Sequence, residues 1–157
     1  MSGIIGGSGR KTGVIGIDIQ PSQPAFSASA SYTNIELSDS KIMALSGERF
    51  DTGDNLDTNT FVAPVTGIYL FTYMFYFTSM DADHTLMDIH ILTSNKQYQQ
   101  TWEPNRLFSA DTKFSVSSTI IADMDVNDTC VFKVYLVAGD AQTDLHSDSQ
   151  VSGCLLH

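Results

Sequence analysis

The chain is poor in cysteine, in basic residues and in long apolar runs, and each shortage excludes something. Its 157 residues include two cysteines, Cys130 and Cys154, with neither CxxC spacing nor a flanking histidine pattern. That is too sparse for a small disulfide scaffold and wrong for a zinc site, so buried free thiols are expected. Lys and Arg total 8 against 18 Asp and Glu, for a net charge of -10. Nucleic-acid backbones and anionic lipid both attract clustered cations, so neither is an expected partner. No apolar stretch approaches the roughly 20 residues of a membrane-spanning helix, and no membrane insertion is expected. Nor does "MSGIIGGSGRKTGVIG" pair a basic start with a continuous apolar block, so no export signal is read there. P-loop, HExxH, GxSxG and dinucleotide fingerprints are missing. The four histidines, His84, His90, His146 and His157, stand at no metal-ligand spacing. Enzymatic activity is not expected.

What is present is an ordinary globular composition, 42% hydrophobic, in a length that suits one domain with a tail. Residues 1–22 differ from the remainder. "SGIIG" at 2–6 is echoed by "TGVIG" at 12–16, with basic, glycine-rich "GSGRK" between. Glycine at that density opposes both helix and strand. Ile4, Ile5, Val14 and Ile15 are unusual in a spacer, and they suit an arm that orders when it docks on a partner. Residues 23–157 then form the domain.

Within that domain turn chemistry recurs at short intervals, as in "SGERFDTGDN", "APVTG", "SMDADH", "TSNK" and "MDVND". The runs between are rich in Val, Ile, Thr, Phe and Tyr. They predict strands near 24–31, 34–37, 46–50, 58–63, 67–78, 84–93, 97–102, 112–123, 128–138 and 149–156. No segment keeps a helical period with caps at both ends. The fold class is all-β, a sandwich or barrel.

Two strands show the alternation expected of one dry and one wet face. Met87, Ile89 and Ile91 alternate with Asp88 and His90, which places His90 in solvent. Phe114 and Val116 alternate with Ser115 and Ser117. The strand from residue 67 breaks the rule. Tyr69, Phe71, Tyr73, Phe75 and Phe77 make one face, while Ile68, Leu70, Met74 and Tyr76 make the other apolar too. Only one face of a sandwich sheet meets its own core. The second needs a cover, and another copy of the chain is the economical one.

Phe61, Gly67, Tyr69, Phe71 and Tyr73 have the spacing F-x5-G-x-Y-x-F-x-Y, which resembles the core signature of the C1q globular domain, a relative of tumour necrosis factor. "PAFSA" at 24–28 is similar to that family's first strand. "RFDTGDNLDTNTFVAP" at 49–64, "MDVNDTCVFKV" at 124–134 and "VSGCLL" at 151–156 follow in the family's order. Asn127 stands in place of the turn glycine, and Val151 and Cys154 in place of aromatic residues. The resemblance implies a ten-strand jelly roll that assembles as a trimer, with Tyr69, Phe71 and Tyr73 in the core. It puts Ile68, Leu70, Met74 and Tyr76 on the threefold axis. The leader also resembles those of structural proteins of tailed bacteriophages, which implies a virion location after assembly in a host cytoplasm.

Asp-rich turns hold Asp81 and Asp83, then Asp123, Asp125 and Asp128, then Asp140, Asp144 and Asp148. Solvated turn aspartates are their ordinary reading, and oxygen-rich turns are also what calcium requires. The C1q resemblance implies calcium near the trimer apex, with Asp111 the nearest match. Tyr98 and Trp102, set among Gln99, Gln100, Glu103 and Asn105, read either as core aromatics or as a glycan or protein contact. The functional expectation is a non-enzymatic homotrimer: a bacteriophage appendage tip, fibre head or capsid decoration. Its arm would dock on other virion proteins, and its outer loops would meet a host-surface glycan or protein. The alternative is a secreted cellular recognition protein of the C1q kind, acting outside the cell.

Overall fold

A computed structural model describes residues 23–157; the arm residues Ile4, Ile5, Val14 and Ile15 lie outside the described residues. The strands are β1 Ala25–Tyr32, β2 Lys41–Ile42, β3 Ala44–Thr52, β4 Leu56–Asp57, β5 Thr60–Val62 and β6 Gly67–Met80. They continue with β7 Leu86–Thr93, β8 Gln97–Trp102, β9 Thr112–Met124, β10 Thr129–Val137 and β11 Asp144–Leu155. A single helical turn, α1 Pro104–Leu107, opens on a proline that fits the first helical turn. One sheet has five strands in the order β3-β1-β11-β6-β9. The other has six, β4-β5-β10-β7-β8, with β2 pairing on β10.

The strand expected at 34–37 is absent, and its place is taken by β2. Asn34 and Ser38 both have positive φ, 50° and 57°, a left-handed backbone that no continuous strand accommodates. Between them Leu37 makes only an isolated bridge to Leu136. Ile35 is nevertheless buried, and its N–H donates to the Thr143 carbonyl at 2.8 Å. The expected strand at 58–63 is shortened to β5, because the turn at Thr58, where φ is 36°, separates it from the short β4 that precedes it.

The core lies between the sheets and is built on aromatic rings. Every second residue of β6 points inward, so Tyr69, Phe71, Tyr73, Phe75 and Phe77 are buried together. Phe26 of β1 stacks on Phe61 of β5 at 5.0 Å between ring centres. Phe61 meets Tyr69 and Phe71 edge-on, at 5.7 and 5.6 Å. Each such side chain contributes about 1.5–3 kcal/mol by leaving water. Gly153 of β11 lies between two of these rings. A Cβ there would come within 2.6 Å of Phe71 and 2.7 Å of Phe26, so the packing of the two sheets requires its absence.

Candidate functional site

The outward face of the five-stranded sheet is the first candidate. Ladder register places Ala25, Cys154, Leu70 and Ile121 in one row across β1, β11, β6 and β9. The next row runs Phe50, Ser27, Ser152, Thr72 and Thr119. Met74 lies one row further, between Gln150 and Ser117. Ile121 is 59% exposed, Phe50 52% and Met74 48%. Small hydroxyl side chains fill the rest, and the Thr119 hydroxyl donates to the Thr72 hydroxyl at 3.1 Å. The face is thus apolar in patches set between short hydroxyl side chains.

The four residues assigned to this face divide. Leu70 and Met74 stand in its middle. Ile68 is half-buried, and its backbone pairs with the end of the chain: its N–H donates to the His157 carbonyl at 2.9 Å and its carbonyl accepts from Leu156 at 2.7 Å. Tyr76 packs its ring against His146, with 5.3 Å between centres. Gly67 begins β6 where a Cβ would meet the His157 carbonyl and the Leu155 side chain at 2.6 Å each.

The second candidate is the open side of the sandwich, between β8 and β9. Tyr98, Gln100 and Trp102 alternate inward along β8. Tyr98 sends its hydroxyl to the Ile121 carbonyl at 3.3 Å, while Lys96 lies over its ring at 5.0 Å. Trp102 packs edge-on against Phe114 at 5.4 Å, and its Nε1 is buried without a hydrogen-bond partner among the described residues. Trp102 therefore adds to the core margin, whereas Tyr98 borders a cleft of about 300 Å³ that also includes Tyr73 and Gln100.

The acidic turns are tied into the fold. Asp111 accepts from the Ala82 N–H at 3.1 Å and from the Gln142 carboxamide at 2.8 Å, one to each carboxylate oxygen. Asp128 accepts from the Asp125 N–H and from Asn95 through its Oδ2. Among the described residues no three His, Cys, Asp or Glu groups gather closely enough to hold a metal ion. The donor set at Asp111 does not fit calcium, which takes six or more oxygens. That residue staples three loops together instead.

One histidine differs from the sequence reading, and a second has a role that reading did not address. His90 is 9% exposed rather than solvated. It stands on a central strand, flanked across the ladder by Gln99 and Lys133, whose longer side chains shade it. Burial, outweighing the pull of Asp88, lowers its pKa. His84 is fully buried, with Nδ1 2.7 Å from the Ala138 carbonyl and Nε2 2.8 Å from the Thr143 hydroxyl. A hydroxyl beside an imidazole is the geometry of an activated nucleophile. Here Thr143 and His84 have no exposed surface, and the second ring nitrogen is held by a backbone carbonyl, so the pair is a structural clasp. Sequence reasoning missed it because Thr143 lies 59 residues away along the chain.

Compared with known proteins, the chain matches no family model and no curated protein. Its fold does have solved counterparts. The globular domain of zebrafish complement 1qA protein is similar at a TM-score of 0.60 and 15% identity, over 85% of this chain and 98% of that one. Murine APRIL is similar at a TM-score of 0.61 and 12% identity, over 85% of this chain and 99% of that one. At such identities the likeness concerns the fold alone: the chain is an all-β jelly roll of the C1q and tumour necrosis factor type.

Proposed function

We propose that this chain is a non-enzymatic binding protein that works as a homotrimer, joined through the outward face of the five-stranded sheet. The observation that carries the reading is the row of half-buried Leu70 and exposed Ile121, with exposed Met74 and Phe50 beside it. Exposed apolar surface of this kind, rimmed by small polar residues, is an association surface. A threefold arrangement is heterologous, so this face seats against a different surface of the next copy. Three subunits then present three copies of their loops to one partner, and weak contacts act together.

The partner in this reading is a protein or glycan met outside the cell by a recognition protein, and the solved counterparts of the fold favour it over a virion role. The virion reading rests on the glycine-rich leader, which lies outside the described residues. Light scattering tests the assembly: the protein should have three times its 17.2 kDa chain mass, and Leu70→Asp should reduce it to one. A monomeric parent protein, or a variant that assembles unchanged, overturns the reading. Saturable binding of the trimer to a glycan array or a cell surface tests recognition.

A further inference from the structure

We propose that the opening between β8 and β9 is a binding cleft for a neutral, mainly apolar small molecule carrying one carbonyl oxygen. β8 ends the six-stranded sheet and β9 ends the five-stranded one, so no described strand closes the sandwich on this side. The cleft between them, about 300 Å³, is at the small end of natural ligand sites. Its walls are Ile89, Ile91 and Ile120, and its polar lining residues are Tyr73, Tyr98, Gln99, Gln100 and Ser118, of which Tyr98 is engaged with the Ile121 carbonyl and Gln99 with Gln97 and Thr101.

The polar groups define the ligand. The Tyr73 hydroxyl donates to Gln100 Oε1 at 2.6 Å, reaching across from one sheet to the other. With the hydroxyl donating to Oε1, the carboxamide nitrogen is turned away from the phenol. Gln100 Nε2 and the Ser118 hydroxyl then have no hydrogen-bond partner among the described residues. Two free donors between aliphatic walls suit a single carbonyl acceptor. No charged side chain lines the cleft, which disfavours ions of either sign. A sugar would bring many more hydroxyls than the two free groups can satisfy.

The test uses the full-length protein with labelled isoleucine methyls, titrated by NMR with cyclohexanone and, separately, methylenecyclohexane. The two have the same shape and differ in the carbonyl oxygen. The ketone should shift the Ile89, Ile91 and Ile120 methyls saturably, and the hydrocarbon should bind about tenfold more weakly. Gln100→Leu should abolish the ketone's advantage, and Ser118→Ala should reduce it. Absence of saturable shifts at these three methyls, or equal affinity for both probes in the parent protein, overturns the proposal. So do intermolecular contacts showing that a second copy's side chain fills the cleft.

Discussion

His84 Nε2 lies 2.8 Å from Thr143 Oγ1, which also receives the Asp81 N–H at 3.2 Å. One threonine hydroxyl thus joins the loop after β6 to the loop before β11, inside a region without solvent access. Thr143→Val keeps the shape and removes the hydroxyl, leaving the imidazole nitrogen and the amide buried without partners. Each such group costs about 1–3 kcal/mol, so the variant should lose about 2–6 kcal/mol. Urea unfolding measures it, and an unchanged midpoint would show that the clasp adds nothing.

Asp81, in the same clasp, makes acid stability a second readout. Burial raises its carboxyl pKa, but the N–H groups of Asp140 and Asp83 and the nearby His84 together bring it below the ordinary carboxylate value. Because the folded-state pKa is depressed, the stabilisation is present above the unfolded value of about 3.9 and is lost as pH falls through the folded one. Unfolding free energy measured from about pH 6 to about pH 2 should fall less steeply in Asp81→Asn than in the parent protein. Equal slopes would remove Asp81 from the acid response.

The architecture was legible in the sequence because turn chemistry separates the β-rich runs, and because β7 and β9 alternate apolar with polar residues over stretches long enough to read locally. The double-faced character of β6 was legible locally as well: Tyr69 and Leu70 are neighbours in sequence and therefore face opposite ways. What could not be read depended on distant partners. Ile35 was correctly apolar, yet it is anchored by the Thr143 carbonyl rather than by a strand. His90 alternates with isoleucines as a wet-face residue would, but Gln99 and Lys133 cover it from the adjoining strands. Asp111 was singled out by the C1q resemblance alone, and its oxygens are occupied by Ala82 and Gln142 from separate loops.

The cysteines separate core from face by reactivity. Burial pushes the Cys130 thiol far above its ordinary pKa and beyond reagents, whereas Cys154 lies half-buried in the row with Leu70. A thiolate is the reactive species, so a maleimide should modify one thiol per chain in the folded protein and two in denaturant. Assembly through this face, as proposed, should slow labelling of Cys154 further, and Leu70→Asp should restore its rate. Labelling at Cys130 without unfolding would contradict the packing.

Ile121 offers the sharpest separation between a folded domain and an assembled one. At 59% exposure, a substitution there changes the stability of an isolated subunit by no more than about 0.5 kcal/mol. In a trimer the same side chain is covered, and Ile121→Ser removes apolar area from every interface at once. Binding between copies also makes the melting temperature rise with protein concentration. Thermal unfolding over a hundredfold range of concentration should therefore show a clear rise for the parent protein and a smaller one for Ile121→Ser. At the lowest concentrations, where subunits separate, the two should converge. A melting temperature independent of concentration in the parent protein would leave the apolar row without a partner of its own kind.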